Sequence, residues 1–161
     1  MEELLILFLF SITLHNLEEA LWLPAWSHST SKFHKTVEKN EFHFAVIVIT
    51  SLAYLSTFFY LLYPNSSLAK YILFGFLGSM IVNVFFPHLM ASIILKRYAP
   101  GVVTGVLLNL PINSFILYQF FQSNELTIKI LLLSTLVVGV VLLCLIPALF
   151  KVGKLFTKQI H

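Results

Sequence analysis

Five long apolar runs dominate the sequence and constrain its fold more than any other feature. Each is about 20 residues long, the length that a helix needs to cross the hydrocarbon core of a bilayer. Because 58% of the residues are hydrophobic and only 11% are charged, little polar surface remains for contact with water. The sequence therefore predicts an all-α bundle of about five transmembrane helices in one domain, residues 1–161. The predicted helices are Leu4 to Trp26, Phe42 to Tyr63, Tyr71 to Leu95, Gly101 to Phe121 and Leu126 to Phe150.

Basic residues are distributed unevenly between the two sides of such a bundle. Only Lys70 and Lys129 fall on one side, and the other eight fall on the opposite side. Basic loops stay in the cytoplasm, so we expect an outside N-terminus and a cytoplasmic C-terminus in a cytoplasmic membrane. The eight are Lys32, Lys35, Lys39, Lys96, Arg97, Lys151, Lys154 and Lys158.

Three other features limit the class of protein. Pro24 is expected to end the first helix before a polar, basic connection that runs from Ser27 to Glu41. The bases lie in short connections and not on one folded face with aromatic residues between them, which argues against a nucleic-acid partner. Cys144 is the only cysteine, so neither an internal disulfide nor a thiolate metal site is expected.

The first helix differs from the other four because polar residues interrupt it at membrane depth. Its apolar part ends at Leu14, and it spans a bilayer only if His15 to Glu19 is counted inside. Residues three and four apart share a helix face, so Glu18 and Glu19 project on the same side as His15. An ionised acid at the bilayer centre costs roughly 2.5 to 3.5 kcal/mol. The cluster therefore needs protonation, internal partners or a bound cation.

A divalent metal ion would compensate the charge of this cluster. Imidazole nitrogen and carboxylate oxygen suit zinc, iron or manganese, and we expect His15 and Glu19 to form the chelating pair. Glu18 is then a further ligand or a general base. Only two acids lie deep, too few for a four-carboxylate di-iron site, so one ion is favoured. The alternative is a layer of protonated, hydrogen-bonded side chains that fixes helix packing.

Two residues of the third helix lie at a depth that allows contact with this cluster. Counted from the helix ends, Asn83 lies near the level of His15, and His88 lies near that of Glu19. His88 is either a third metal ligand or a histidine that bonds to a backbone carbonyl where Pro87 opens the helix. Asn83 either orients water or substrate or links two helices. A haem between His15 and His88 is disfavoured, because the neighbouring carboxylates suit a hard cation.

Five further residues are expected to support the site or to have a simpler structural role. Glu41 and His43 begin the second helix and either act at the inner mouth of the site or contact interfacial water. Thr104 and Asn109 belong to a polar stripe on the fourth helix that lines a pocket or packs against protein. Tyr98 lies in the turn before that helix, either as an interfacial residue or as a contact for a lipid phosphate.

The stretch His15-Asn16-Leu17-Glu18-Glu19 resembles the signature of the HXXEE family of small bacterial membrane proteins. Other positions similar to recurrent positions of the family are Pro24-x-Trp26, Asn83 with His88, and Tyr98-x-Pro100-Gly101-x-x-Thr104. The resemblance covers most of the chain. It implies a membrane-bound bacterial enzyme without naming a reaction. The site that it implies comprises His15, Glu18, Glu19, Asn83 and His88, supported by Tyr98, Pro100, Gly101 and Thr104.

These features favour a metal-dependent intramembrane enzyme, a hydrolase or isomerase, that acts on a membrane lipid or another apolar small molecule. In this hypothesis His15, Glu19 and His88 bind the metal, Glu18 moves protons and Asn83 orients water or substrate. The alternative is a proton- or cation-coupled transporter or a ligand-binding membrane protein that uses both carboxylates. The sequence has no internal repeat and an odd number of predicted helices, which disfavours a transporter unless the chain forms a homodimer. A structural or signalling subunit is a third alternative.

Overall fold

The structure, a computed structural model, describes residues 2–30 and 36–160 of the chain. Within these two ranges it contains no β-strand and five helices that are long and apolar enough to cross a membrane. The predicted class, an all-α transmembrane bundle, is thereby confirmed. We number the helices α1 (Glu2–Ser29), α2 (Lys39–Leu62), α3 (Ser67–Leu95), α4 (Val102–Gln122) and α5 (Ile128–Ile160).

Helix α1 continues past Pro24 to Ser29, and the expectation that this proline ends the helix is wrong. A proline has no N–H, so the carbonyl four residues earlier loses its helical partner. That carbonyl belongs to Ala20, and Nε2 of His43 in α2 donates a hydrogen bond to it at 2.8 Å. An apolar environment requires every backbone carbonyl to find such a partner. The helix can therefore continue because α2 satisfies the carbonyl that the proline leaves free.

The connection between α1 and α2 is shorter than the sequence suggested. Residues 36–38 lead into α2, which begins at Lys39. The Ser27 hydroxyl donates to the carbonyl of Pro24 at 2.7 Å and accepts from the Val37 N–H at 3.0 Å, so it links the two sides of the connection. Lys32 and Lys35, two of the basic residues predicted in this connection, lie outside the described residues.

Both α3 and α4 contain an irregular turn beside a proline. In α3 the π-helical segment Val84–Leu89 includes a break at Phe86, where φ is −134° and ψ is 117°. The residue before a proline disfavours helical geometry, and Pro87 follows this break. In α4 the segment Gly105–Asn109 is π-helical and ends two residues before Pro111. Gly105 lies against Val84, so the two irregular turns pack against each other.

The apolar core lies between the N-terminal half of α1 and helices α3 and α4. Along α1 the core extends as far as Ile12, and the polar stretch of this helix begins at the next turn. The site described below therefore lies at one end of the core. The largest fully buried apolar side chains of this core are Leu5, Phe8, Ile12, Leu73, Phe74, Leu77, Ile116 and Phe120.

Helix α5 covers one side of the bundle and packs most extensively against α3. Gly78 allows this close approach, since a side chain at that position would overlap the Thr135 hydroxyl. The 33 residues of α5 correspond to about 50 Å, more than the hydrocarbon core needs. Its C-terminal part continues beyond Phe150, the predicted end, and carries Lys151 and Lys154.

The outside of the bundle is apolar. Leu21, Leu107 and Leu143 each expose about two thirds of their side-chain surface, and many other large apolar residues are similarly exposed. Continuous apolar surface of this kind is incompatible with a monomer in water and matches lipid.

Candidate metal site

Three potential metal ligands from two helices meet at the polar end of the core. Oε1 of Glu19 lies 2.8 Å from Nε2 of His88 and 3.9 Å from Nε2 of His15. The two imidazole rings meet edge to face, with their centroids 5.0 Å apart. Both histidines are almost completely buried, and Glu19 is 15% exposed. Residues separated along the chain therefore form one compact His/Glu/His cluster.

The second nitrogen of each histidine points away from the cluster to a hydrogen-bond acceptor. Nδ1 of His15 lies 3.2 Å from Oγ1 of Thr104, whose own proton goes to Oε2 of Glu18 at 2.5 Å. The imidazole must then be the donor, which leaves a lone pair on Nε2 of His15. The His88 imidazole also hydrogen-bonds to the backbone carbonyl of Pro100. Metal-binding histidines are commonly held in this way, through their second nitrogen.

Glu18 lies on the same helix but is bound by the beginning of α4. Its Oε1 accepts from the Gly101 N–H at 2.9 Å and from the Tyr98 hydroxyl, and its Oε2 accepts from the Thr104 N–H at 2.8 Å. The Thr104 hydroxyl and, at 3.4 Å, the Val103 N–H complete five donors. The free N–H groups at a helix N-terminus favour a negative charge. Glu18 thus ties α1 to α4 and accepts no bond from the histidines.

Tyr98 lies between α3 and α4 and contributes its hydroxyl to this arrangement although its ring is 46% exposed. Burial of the hydroxyl raises the pKa of Tyr98 above its usual value, and the hydrogen bond to Glu18 and the charge of that carboxylate raise it further. The phenol therefore stays protonated and remains a donor at any physiological pH.

Gly101 makes the close approach of the two imidazoles to the α3–α4 turn possible. Its φ of 91° lies in the left-handed region, which residues other than glycine rarely adopt. A Cβ atom there would lie 2.7 Å from Cε1 of His88 and 3.0 Å from Cε1 of His15. A larger residue would therefore be strained and would also displace both rings.

Asn83 is the fourth polar residue at the cluster. Its Nδ2 lies 3.2 Å from Nε2 of His15 and 3.0 Å from Nε2 of His88. The amide donates to the lone pair of His15, whereas Nε2 of His88 already faces the Glu19 carboxylate. Asn83 therefore holds Nε2 of His15 from within α3, and its amide would have to move aside for that lone pair to bind a metal ion.

The distances within the cluster come near those of a metal site, and the two histidines need the larger adjustment. All three ligand atoms lie within 4.8 Å of one another. In a tetrahedral zinc site with bonds of 2.0 to 2.2 Å, ligand atoms lie about 3.4 Å apart. The Glu19–His88 distance would have to open, and the Glu19–His15 distance to close, each by about half an ångström. The nitrogen atoms of the two histidines would have to approach each other by up to about 1.4 Å. A nitrogen and a carboxylate oxygen at 2.8 Å also require a cation or a proton between them.

A mainly apolar cavity of about 350 Å³ lies beside the cluster. Glu19, Asn83 and His88 form part of its wall, and the rest comes mostly from α2, α3 and α5. The apolar lining includes Phe42, Ala45, Met80, Leu142, Ile146 and Phe150. A second groove of about 580 Å³ between α1 and α2 shares Asn16 and Val46 with this cavity but is lined by none of the three ligands. The cluster therefore faces a partly open, mainly apolar cavity, which is typical of small-molecule sites.

Three residues predicted to support the site contribute no atom to the cluster. His43 bonds to the Ala20 carbonyl, and the backbone of Glu41 packs against Gly153 of α5. Asn109 is fully buried in α4, as is Asn113 one turn further, and their amides have no hydrogen-bond partner among the described residues. Thr104 and Tyr98, by contrast, both bond to Glu18.

Two contributions to the site go beyond the sequence-based prediction. Pro100 is expected among the supporting residues, but the bond between its backbone carbonyl and His88 could not be predicted, because a backbone group carries no residue-specific signal. Helix α5 forms a wall of the cavity through Gly139 and its apolar neighbours, although its sequence reads only as a hydrophobic span. The local feature of the sequence that indicates a cavity on this face of α5 is Gly139, which lies among the β-branched residues of positions 137–141.

Comparisons with known proteins agree with the resemblance of the sequence. The family described as "Protein of unknown function with HXXEE motif" matches residues 6–116, which include the whole cluster and the beginning of α4. A protein of Bacillus subtilis (strain 168), described as "Uncharacterized protein YrkK", is 62% identical over 146 residues. That match covers 91% of this chain and 92% of the Bacillus protein. No solved structure is significantly similar to the chain. The match to more than half of the sequence shows that the chain belongs to the HXXEE family.

Proposed function

We propose that the protein is a metal-dependent intramembrane enzyme, of the hydrolase or isomerase class, that acts on an apolar small molecule or lipid. The observation that carries this proposal is the convergence of His15, Glu19 and His88 beside a partly open, mainly apolar cavity. Two histidines and one carboxylate form the ligand set of catalytic zinc and non-haem iron sites, in which further positions on the metal stay open.

The three ligands would have separate tasks. His15 and His88 offer neutral nitrogen, and Glu19 offers the one negative charge. A zinc, iron or manganese ion held there would supply Lewis acidity to an oxygen of the substrate or to a water molecule. Asn83, whose amide lies within 3.2 Å of both Nε2 atoms, is positioned to orient the group that reacts.

Glu18 has a positioning role in this proposal, in place of the proton transfer that the sequence suggested. Five donors occupy its two oxygens, so no lone pair remains directed at the cluster. Through Thr104 it fixes the ring of His15 with Nε2 toward the metal. Hydrogen bonds of this kind commonly change metal affinity by about 10- to 100-fold when they are removed.

Metal content is the decisive measurement. The parent protein would be purified in mild detergent without chelator, beside His15→Ala, His88→Ala and Glu19→Gln variants, and analysed by elemental mass spectrometry. We expect close to one ion per chain in the parent and loss of the ion in all three variants. His43→Ala is the control, because this histidine is partly buried and bonds to a carbonyl outside the cluster.

A folded parent that retains no metal, also after loading with zinc, iron and manganese, would remove the metalloenzyme proposal. Proton- or cation-coupled transport would then be the leading alternative, and uptake into proteoliposomes by the parent and by Glu19→Gln would test it. Metal lost in the His43→Ala control as well would mean that the variants unfold, so their melting temperatures must be recorded together with their metal content.

A further inference from the structure

We infer that the substrate or ligand of the cavity is a neutral molecule with one apolar chain and one oxygen-bearing head group, such as a fatty alcohol, aldehyde or ester. The inference deepens the proposed function and rests on it, since the metal is taken as the partner of the head group. Two properties of the cavity lead to it: its volume and its charge.

The volume of the cavity suits one chain. It measures about 350 Å³, and a group of the size of a water molecule takes up about 30 Å³. The space therefore holds roughly a dozen methylene-sized groups. One chain of this size fills the cavity, and a second acyl chain would have to lie outside it, against the surrounding lipid.

The charge of the cavity disfavours a phosphate monoester head group. Among the described residues that line it, Glu19 is the only one with a charge, and none is Lys or Arg. A divalent ion beside one carboxylate leaves about one positive charge, while a phosphate monoester carries about −1.5 to −2 at neutral pH. Burial of the remaining negative charge in an apolar space is unfavourable.

The α4 N-terminus cannot supply the missing positive potential. Helix N-termini commonly bind phosphate through their free N–H groups. Here the Gly101 and Thr104 N–H groups already bond to Glu18. A neutral head group does not need these N–H groups, because its oxygen atom would bind the metal and accept a hydrogen bond from the amide of Asn83.

Gly139 of α5 offers a way to change the space without touching the cluster. A Cβ atom at this position would lie 3.3 Å from the Ser79 hydroxyl and within 4 Å of no other described side chain. Gly139 lines the cavity, so a larger residue there extends into it. Val140, the next residue, is half exposed on the lipid-facing side and provides a matched control.

The test is photoaffinity labelling of the metal-loaded protein in phosphatidylcholine nanodiscs, since alkyl detergents would compete for the cavity. The probe is dodecanol with a photoreactive diazirine on its chain, and the labelled residues are identified by mass spectrometry. We expect saturable labelling of cavity residues of α2 and α5, such as Ala45 and Leu142. Unlabelled dodecanol should compete about tenfold more effectively than dodecyl phosphate, which has the same chain.

The variants separate the cavity from the lipid surface. Gly139→Leu should lower labelling about tenfold, and Gly139→Ala should lower it less, while Val140→Leu should match the parent. Equal competition by the alcohol and the phosphate, or unchanged labelling in Gly139→Leu, would overturn the inference. Metal content is measured on the same samples. Bound metal without labelling contradicts the inference alone, and saturable labelling without bound metal contradicts the proposed function alone.

Discussion

Glu18 and Glu19 are neighbours in the chain, but their carboxylates bind different helices. Glu19 lies 2.8 Å from His88 of α3, and Glu18 accepts the Thr104 N–H of α4 at the same distance. One acid thus belongs to the candidate metal site and the other joins two helices. This difference leads to opposite expectations for two otherwise identical substitutions.

Glu19→Gln should remove the metal and leave the fold intact. The amide lacks the negative charge of the ligand, and we expect the metal affinity to fall by at least about 100-fold. Glu18→Gln should destabilise the protein by about 1.5 to 3 kcal/mol, because an NH₂ group would face backbone donors, and it should lower the metal affinity less than Glu19→Gln does. Competition with a chelator and thermal unfolding in detergent measure the two effects. Equal metal loss in both variants would contradict the separation of roles.

Thr104→Val should weaken metal binding although Thr104 is no ligand. Valine has a similar shape, but it can neither accept a hydrogen bond from Nδ1 of His15 nor donate one to Glu18. The imidazole therefore loses its fixed orientation. We expect a decrease in metal affinity of about 10- to 100-fold. Thr104→Ser keeps the hydroxyl and should restore most of the affinity. An affinity in Thr104→Val equal to that of the parent would show that the hydrogen-bond chain has no influence on His15.

Gly101→Ala should be among the most damaging single-methyl changes in the chain. The alanine would have to adopt a backbone φ of 91°. Its Cβ atom would also lie only 2.7 Å from Cε1 of His88 and 3.0 Å from Cε1 of His15. Strained backbone of this kind costs about 1 to 3 kcal/mol, and displacement of the rings should also reduce metal retention. Gly105→Ala is the control, since its added methyl would meet Val84 at 3.2 Å with an ordinary φ. A parent-like melting temperature and metal content of Gly101→Ala would refute this expectation.

The orientation predicted from the basic residues remains to be measured. A reporter fused after His161 should read as cytoplasmic, because Lys151, Lys154 and Lys158 follow the apolar part of α5. A second reporter in the connection between α4 and α5, residues 123–127, should read as external. The reverse pattern at both positions would invert the topology, and it would place the cavity in the other leaflet.

The helices and the depth of the cluster could be predicted because both depend on local composition. Residue counts from the helix ends put His88 near the level of Glu19, and in the structure the two side chains meet. The attachment of Glu18 to α4 could not be predicted, because it depends on the turn at Gly101 and on the irregular segment that follows it. The continuation of α1 past Pro24 likewise depends on a contact with His43 of another helix, which no local pattern contains.

The hydrogen bonds of Glu18 also have a consequence for the order of events during synthesis. The ribosome completes α1 long before Gly101 and Thr104 exist, so the partners of both carboxylates are missing while the first helix is already being made. Until then α1 carries two acids whose insertion into lipid is unfavourable. We therefore expect the nascent helix to remain near the membrane surface or within the translocon, and to take its final depth only when α4 has emerged.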